Sequence, residues 1–478
     1  MAAPSRMHKL AGSTGTRVSG RGSGVRRGWG MGVAVCLGLG CGAVESPEPS
    51  RPLASRAQET RVERGATRQV RAVEGSVFGW TVSVDRKDNA FVSLAYERSG
   101  VDLGGGVLPG DAGLALAKYA PDGTHVWSRG FPTYHGARPT VTAMVADGAG
   151  NLYIAGEHRE PTLSLGGEPL PPGPFLAKYG PDGTHVWSRP AVLPGVRLLP
   201  AGALAVDERR GQLVVAVDFL DKGQPLGAAL VGRVRAEDGM VLALSPVVRR
   251  GQLSVKSLAV EPSGHIAVAG AFVGEVDLGG GVLSTAKPRS PFVARFTPEM
   301  RHVWSRGWGE AEGTATGVAV EPGRVLVVGE YTGGIAFRGR TQWSEGKDGF
   351  VAVYGPSGGE LWMRHFGESA TGVAVDAENR VVVTGQYRPG DSVGGPRLPG
   401  RAGGTPDNHL YVVKLYRGSG GHEWSRGLVS EGELRAGPLA VTRGGEAVLL
   451  PRAGGAADVG HGPFTVPPDS ALFLRFVR

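Results

Sequence analysis

The sequence predicts an all-β protein, a seven-bladed β-propeller built from four-stranded antiparallel blades. From about residue 76 onward the chain repeats itself at intervals of about 60 residues, as repeat architectures do. Parts of the repeat recur letter for letter: PDGTHVWSR occupies 121–129 and 181–189, and VDLGGGVL occupies 101–108 and 276–283. The body of the chain also shows no long stretch with the 3.6-residue period of an amphipathic helix.

One repeat, residues 141–189, displays the four strands most clearly. VTAMVAD (141–147) and NLYIAG (151–156) are short apolar runs separated by a Gly-rich turn, and FLAKY (175–179) and THVWSR (184–189) are separated by Gly-Pro-Asp-Gly. Proline fixes φ and glycine accepts positive φ, so this sequence favours a tight turn. Short β-rich runs separated by such turns predict hairpin-linked strands, and a four-stranded sheet covers both its faces by stacking in a ring.

Seven copies of the repeat can be traced. We number repeats 1 to 7 by the residue that ends the first strand: Asp85, Asp147, Asp207, Glu261, Glu321, Asp376 and Thr442. The third strand carries a basic residue in six copies, with Val353 in repeat 5: Lys118, Lys178, Arg233, Arg295, Lys414 and Arg475.

The fourth strand carries Trp in five copies, with Arg two positions later. The tryptophans are Trp127, Trp187, Trp304, Trp362 and Trp424, and the arginines are Arg129, Arg189, Arg306, Arg364 and Arg426. Repeat 3 reads MVLALSP instead, which predicts a degenerate blade. We expect the tryptophans to be buried between adjacent blades, because one large aromatic per blade suits packing there.

The last repeat predicts how the ring closes. It supplies three strands and ends with ALFLRFVR at 471–478, without a counterpart of THVWSR. The segment TRQVRAV at 67–73 lies just before repeat 1, where a fourth strand would stand in the other copies. We therefore expect 67–73 to form the N-terminal strand that closes the last blade, beside 471–477, since an unpaired strand edge invites aggregation.

The repeat resembles a known family. Its pattern is similar to that of the SBBP β-propeller repeats found in bacterial surface and secreted proteins, in which A-x-D-x-x-G-N-x-Y-V-x-G precedes a Gly-rich loop and F-V-A-K-Y-x-x-D-G-x-x-x-W-S. The matching residues of repeat 2 are Asp147, Gly150, Asn151, Tyr153, Gly156, Phe175, Ala177, Lys178, Asp182, Gly183 and Trp187. The resemblance implies the propeller fold and no particular ligand.

Residues 1–40 are predicted to be a signal peptide. Arg26 and Arg27 precede an apolar run, 28–40, that is too short to span a membrane as a helix. The run ends Gly-Leu-Gly-Cys, which resembles the bacterial lipobox. That resemblance implies that Cys41 is lipidated and becomes the new N-terminus.

The domain organisation and localisation follow from this N-terminus. Residues 41–66 are rich in Pro, Ser and charge and are predicted to be a flexible tether, and 67–478 to be the propeller. The protein is then exported and anchored at the cell envelope through its lipid. The alternative is an ordinary signal peptide and a soluble secreted protein.

Charge and cysteine content exclude several function classes. Residues 1–40 hold six of the 52 basic residues and no acidic one, so the remainder has 46 basic against 44 acidic residues. Nucleic-acid binding is therefore not expected. The only cysteines are Cys36 and Cys41, so the propeller has no thiol for a disulfide, a zinc site or nucleophilic catalysis.

The histidines and carboxylates do not form a recognisable catalytic motif. His125, His185, His302 and His422 recur just before the tryptophans, which indicates a structural role, whereas the isolated His135 and His461 could face a pocket. The acidic residues that end the first strands are expected to cap the following turns. We expect no metal and no cofactor.

Two functions remain open on this sequence. The first is a non-enzymatic, monomeric envelope lipoprotein whose propeller binds an unknown protein or polysaccharide. The alternative is a hydrolase or lyase acting on a polysaccharide with carboxylates at the channel mouth. Gly358–Trp362 also resembles the docking motif of quinone-dependent propeller dehydrogenases, but the propeller lacks the cysteines of their vicinal disulfide.

Overall fold

The computed structural model describes residues 64–73, 76–97, 100–134, 138–191, 197–220, 228–400, 409–460 and 462–477. These ranges belong to one compact unit, Leu53–Arg478. They contain strands and turns but no helix, which confirms the predicted all-β class.

Repeats 1 to 3 each form a separate four-stranded antiparallel sheet whose strands pair in chain order. The chain begins with β1 (Thr67–Val73), which precedes repeat 1. Repeat 1 consists of β2 (Ser76–Val84), β3 (Ala90–Glu97), β4 (Ala112–Tyr119) and β5 (His125–Pro132). Repeat 2 consists of β6 (Thr140–Ala146), β7 (Leu152–His158), β8 (Gly173–Tyr179) and β9 (His185–Pro190). Repeat 3 consists of β10 (Arg197–Asp207), β11 (Gln212–Leu220), β12 (Ala228–Arg235) and β13 (Val241–Pro246).

Repeats 4 and 5 follow the same plan with a longer second strand. Repeat 4 consists of β14 (Arg250–Val260), β15 (Ile266–Asp277), β16 (Val282–Ser284), β17 (Ser290–Phe296) and β18 (His302–Gly307), where the short β16 pairs with β15. Repeat 5 consists of β19 (Ala311–Glu321), β20 (Arg324–Phe337), β21 (Arg340–Tyr354) and β22 (Glu360–His365).

Repeats 6 and 7 are joined in one ten-stranded sheet, which the sequence did not predict. Repeat 6 consists of β23 (Gly372–Val375), β24 (Val381–Gln386), β25 (His409–Leu415) and β26 (His422–Ser430). The remaining strands are β27 (Leu434–Arg435), β28 (Leu439–Val441), β29 (Ala447–Leu449), β30 (Arg452–Asp458) and β31 (Pro463–Phe476). The connection is β30, which pairs with β26 on one side and with the first half of β31 on the other.

The two ends of the propeller meet in repeat 7, as the sequence predicts. β1 pairs antiparallel with the second half of β31, with Val70 opposite Leu474 and Val73 opposite Ala471. β31 in turn pairs with β29. The expected pairing of 67–73 with 471–477 is therefore confirmed.

Just outside this pairing, the chain ends imitate the turn that links third and fourth strands elsewhere. In repeat 2, the Gly183 amide donates to the Gly180 carbonyl at 2.9 Å, and the Gly180 amide donates to the Thr184 carbonyl at 2.8 Å. In repeat 7, the Gly65 amide donates to the Val477 carbonyl at 3.0 Å, and the Val477 amide donates to the Ala66 carbonyl at 2.8 Å. The turn geometry thus forms without a covalent link between its two halves.

The sheets stack in the manner of a β-propeller. The first strands contact one another in cyclic order, β2, β6, β10, β14, β19, β23 and β28, and β28 also contacts β2. Apolar clusters combine neighbouring repeats: Leu116 and Trp127 of repeat 1 share a cluster with Ile154 and Phe175 of repeat 2. The hydrophobic core is therefore divided among the interfaces between sheets.

The recurring tryptophans lie at these interfaces, so their predicted burial is confirmed. Their exposed fractions are 4–6%. Trp127 shows the arrangement: its Nε1 donates to the Pro181 carbonyl at 3.0 Å, and a Cβ on Gly183 would lie 2.7 Å from its ring. Arg129 donates to the Gly183 carbonyl at 3.2 Å. The Trp and Arg of the Trp-x-Arg motif thus hydrogen-bond to the Pro-Asp-Gly turn of the next repeat, and the glycine of that turn leaves room for the indole ring.

At the interface between repeats 3 and 4, other residues stand in place of the tryptophan and the turn glycine. Arg233 is opposite Ala243 in the sheet, just as Lys178 is opposite Trp187, so Ala243 occupies the tryptophan position. The matching turn of repeat 4 carries Met300 at a φ of 60° in place of glycine. Met300 packs on the apolar cluster shared by repeats 3 and 4. Where the tryptophan ring is missing, the turn of the next repeat thus carries a larger side chain.

Candidate functional site

Three of the sequence-predicted site residues lie outside the described residues. They are Cys41, the predicted lipidation site, and the isolated histidines His135 and His461. Their roles stay predictions.

The recurring histidines support loops, as the sequence indicates. His185 Nε2 lies 3.2 Å from Ser188 Oγ, and the ring stands edge-on to Tyr179 at 5.9 Å. A Cβ on Gly167 would lie 2.4 Å from the ring, so only glycine lets the loop cover it. The rings of His125, His302 and His422 meet a loop glycine in the same way. Burial lowers the pKa of all four, which keeps these rings neutral near pH 7.

The recurring carboxylates cap turns, and in repeats 1, 4 and 6 they also pair with the recurring basic residue. Asp147 Oδ1 accepts the amides of Ala149 at 3.0 Å and Asn151 at 2.9 Å. Glu261 accepts two bonds from Arg295, at 2.6 and 2.8 Å. The predicted turn-capping role is confirmed.

Repeat 5 lacks the basic residue but keeps its carboxylate. Val353 stands in the basic position, and Arg417, from the turn of repeat 6, donates to Glu321 at 2.9 Å instead. The recurring charges therefore belong to the scaffold, and a functional site must be sought where the repeats differ.

The clearest difference lies in the hairpin between the second and third strands of repeat 5. Repeat 4 has Leu-Gly-Gly-Gly between Asp277 and Val282, which are opposite each other, whereas repeat 5 has Phe-Arg-Gly-Arg at 337–340 between Ala336 and Thr341. Arg338 adopts a φ of 52°. The histidine of the other repeats is replaced by Glu360, whose carboxylate accepts the Arg338 amide at 2.5 Å.

This hairpin and β22 border an open groove of about 670 Å³. The lining residues are Ile335, Phe337, Arg338, Arg340, Thr341, Gln342, Trp362, Met363, Arg364 and His365. Ile335 and Trp362 are buried and form its floor, whereas the arginines are exposed. This volume lies within the range of small-molecule sites in proteins, about 300–1,000 Å³.

The groove is lined by positive charge that no lining carboxylate neutralises. Arg364 is held in place by the Ser419 carbonyl, to which its Nη2 donates at 2.8 Å. Arg338 donates to the Leu361 carbonyl at 3.2 Å. Among the described residues, the Arg340 guanidinium has no hydrogen-bond or ion-pair partner. The groove thus offers one free guanidinium and two fixed ones.

A buried tyrosine orients the histidine of the groove. Tyr331 is 1% exposed, and its hydroxyl lies 3.1 Å from His365 Nδ1. Burial, reinforced by the charge of Arg364, lowers the pKa of His365 to about 4. The ring is therefore neutral at pH 7. When the tyrosine hydroxyl donates to Nδ1, the proton resides on Nε2, so this side of the ring is a hydrogen-bond donor.

An exposed aromatic side chain lies on the same hairpin. Trp343 is 63% exposed, and it is opposite Gly334. A Cβ on Gly334 would lie 3.1 Å from the indole, so the missing side chain lets the ring rest on the neighbouring strand. Because side chains alternate along a strand, Trp343 and Gln342 occupy opposite faces.

Two carboxyl groups outside the repeat pattern have perturbed acidities. Burial raises the pKa of Asp348, and the nearby Asp391 raises it further. Burial also raises the pKa of Asp218, although Ser254 Oγ donates to it at 2.6 Å. Both groups hold their protons more tightly than an ordinary aspartic acid.

Sequence reasoning missed the groove, although a signal was present. Glycines recur in the loops of repeats 1, 2 and 4, and arginines take their place at positions 338 and 340. Within the described ranges, no three His, Cys, Asp or Glu side chains are grouped as metal ligands. Those ranges also hold no helix with the length and apolar character needed to cross a bilayer.

Comparisons with known proteins find distant structural similarity and no sequence relative. No family model matches the chain, and no curated protein matches its sequence. The structure is similar to the quinohemoprotein alcohol dehydrogenase from Comamonas testosteroni, with a TM-score of 0.40 and 8% identity over 85% of this chain and 76% of that chain. It is similar to the Dos1 propeller, with a TM-score of 0.40 and 8% identity over 84% of this chain and 94% of that chain. It is also similar to a subtype N11 neuraminidase-like protein of A/flat-faced bat/Peru, with a TM-score of 0.39 and 9% identity over 87% and 88% of the two chains. Similarity at this level says nothing about activity or ligand.

Proposed function

We propose that this chain is an SBBP-type lipoprotein of the bacterial envelope, whose seven-bladed propeller is a non-enzymatic binding scaffold. The cyclic contacts of seven first strands support the blade count. In this proposal β1 supplies the outer strand of the seventh blade and closes the ring.

The observation that carries the binding role is the groove of repeat 5. Its lining combines arginines with neutral hydrogen-bond donors and contains no carboxylate. Glycoside hydrolysis by the usual route uses a pair of carboxyl groups that flank the bond to be broken. The groove therefore has the chemistry of recognition and lacks that of this reaction.

The anchoring part of the proposal is tested by fractionation. The wild-type protein is expected in the membrane fraction, and Cys41→Ser is expected in the soluble exported fraction. Cys36→Ser is the matched control and should stay with the membrane. Membrane retention of Cys41→Ser would contradict the lipid anchor.

The binding part is tested with the soluble propeller, residues 60–478, immobilised and exposed to envelope fractions. Retention of envelope material that the heat-unfolded protein does not retain is expected. Absence of any retained polymer or protein would contradict the scaffold role.

A second candidate, a polysaccharide hydrolase or lyase, is favoured by Asp348. Its raised pKa suits a general acid, and Asp391 lies close enough to affect that pKa. Incubation with envelope polysaccharides should then release oligosaccharides, and Asp348→Asn should stop the release. Equal release by the wild type and the variant would remove Asp348 from consideration.

A further inference from the structure

We infer that the groove of repeat 5 binds an acidic polysaccharide, with the arginines contacting its carboxylates and Trp343 stacking on a neighbouring sugar ring. This inference rests on the proposed binding function and names the ligand class. Apart from Arg364, which recurs in the repeats and also packs on the turn of repeat 6, it concerns residues that differ from the repeat pattern.

The positive charge of the groove suits an acidic ligand. Arg338, Arg340 and Arg364 line one groove together, and the Glu360 carboxylate at this hairpin accepts the Arg338 main-chain amide and forms no ion pair with their guanidinium groups. A guanidinium presents two parallel N–H groups that match a carboxylate or phosphate. Because Arg340 has no partner among the described residues, an incoming anion need not displace an existing ion pair there.

Placing arginine in this loop has a conformational cost. The other loops use glycine at this point, and Gly279 has a φ of 106°. Arg338 adopts positive φ as well, which costs about 1–2 kcal/mol for a residue with a side chain. Glycine would relieve this strain, so the turn conformation itself does not call for an arginine, and the one structural contact of its guanidinium is with the Leu361 carbonyl.

The groove also offers neutral donors. Thr341, Gln342 and the neutral His365 also line the groove. Hydroxyl, amide and imidazole groups pair with sugar hydroxyls without introducing further charge. A simple inorganic anion would bind the arginines and form no hydrogen bonds with these neutral groups.

The position of Trp343 favours a polymer over a single sugar. Trp343 follows Gln342 in the strand, is largely exposed, and lies on the face of the hairpin opposite to that of Gln342. A chain that crosses the edge of the hairpin can contact both sides, whereas one sugar cannot. Exposed tryptophan supplies a large rigid contact surface, with a polar N–H at its edge.

The test measures the affinity of the soluble propeller for a hexamer of galacturonic acid by isothermal titration calorimetry. The neutral hexamer of glucose, inorganic phosphate and a single-stranded oligothymidylate serve as comparison probes. We expect binding of the acidic hexamer, weakening as salt is raised, and no binding of the neutral hexamer.

Variants locate the site. Arg340→Ala should weaken binding of the hexamer about tenfold or more, which corresponds to the loss of one charge-assisted contact. Trp343→Ala should weaken it about fivefold. Arg301→Ala is the matched control, because Arg301 is 77% exposed on another repeat, and it should bind like the wild type. All three positions are exposed, so thermal unfolding should be unchanged.

Each outcome decides the matter. Phosphate binding as tight as hexamer binding, unaffected by Trp343→Ala, would mean a simple anion site and overturn the inference. Tighter binding of the oligothymidylate would assign the groove to nucleic acid and overturn it too. If envelope material is retained equally by the wild type and Arg340→Ala, the scaffold role stands and this site assignment fails. If nothing is retained at all, the scaffold role itself fails.

Discussion

Truncating Trp187 tests the account of how neighbouring repeats hold each other. The side chain is 6% exposed, its Nε1 donates to the Ala236 carbonyl at 3.3 Å, and its ring covers Gly239 of repeat 3. Trp187→Ala removes this packing and leaves a cavity, which costs about 3–5 kcal/mol for a buried tryptophan. Val186→Ala is the matched control. Val186 is 48% exposed, so its loss should change the unfolding free energy by less than about 0.5 kcal/mol.

The residues at the interface of repeats 3 and 4 suggest a second and more specific substitution. There Ala243 and Met300 stand in place of Trp and Gly. Gly239→Met alone should destabilise the wild type, because a Cβ there would lie 2.9 Å from the ring of Trp187. In the Trp187→Ala background, the methionine side chain should refill the cavity and recover about 1–2 kcal/mol of unfolding free energy. The backbone strain at positive φ, about 1–2 kcal/mol, is present in the Gly239→Met single variant as well, so it does not count as an interaction between the two substitutions.

The assay is equilibrium unfolding in guanidinium chloride followed by circular dichroism, on the wild type, both single variants and the double variant. We expect the double variant to lose about 1–3 kcal/mol less unfolding free energy than the sum of the losses in the two single variants. Strictly additive effects would refute the view that Ala243 and Met300 substitute for the tryptophan and glycine pair.

Three further predictions concern other parts of the structure. The pKa of His365 is lowered to about 4 in the folded protein, so between about pH 6.5 and pH 4 the unfolded chain binds a proton that the folded protein does not. The free energy of unfolding should therefore decrease as the pH is lowered through this window, and thermal melts should show a smaller decrease for His365→Gln. Deleting 60–74 should lower the melting temperature of the whole ring because it removes the closing strand, whereas deleting 43–58 should not. Lys414 is 1% exposed and pairs with a carboxylate at 2.9 Å, so Lys414→Met should cost about 3–5 kcal/mol in guanidinium unfolding, while the exposed Lys347→Met should cost less than about 1 kcal/mol.

Most of the fold could be predicted because the same sequence pattern of strands and turns recurs in each repeat. The four runs of residues 141–189 became β6 to β9 within two residues at each end. The verbatim Pro-Asp-Gly and Trp-x-Arg motifs indicated turns and packing positions. The missing fourth strand of repeat 7 could be deduced because six other copies showed what should be there.

The joining of repeats 6 and 7 could not be predicted in this way. β30 reads RAGGAAD and the first half of β31 contains two consecutive prolines, and both compositions argue against strands in local terms. The pairing of β30 with β26 depends on a contact between different repeats, which no local pattern encodes.

The groove escaped prediction for another reason. The sequence shows arginine at 338 and 340 but not which lining residues share their face of the hairpin. Only the backbone register brings Gln342 opposite Ile335 and Phe337 opposite Arg340. The departure from glycine was visible, and comparison of the repeats with one another at each position would have singled it out.

The meeting of the chain ends in repeat 7 has a consequence for synthesis. β1 is the first strand of the propeller to leave the ribosome, and its partner, residues 471–476, is the last. The outer strand of repeat 7 must therefore wait unpaired until residues 471–476 have been synthesised, even though the intervening sheets have all the residues they need to form. A chain released early, or cut near its C-terminus, keeps an orphan strand with open hydrogen-bonding edges, which marks it for quality-control proteases and holdase chaperones. The ring can therefore close only after residues 471–476 have been made, because only then does β1 find its partner.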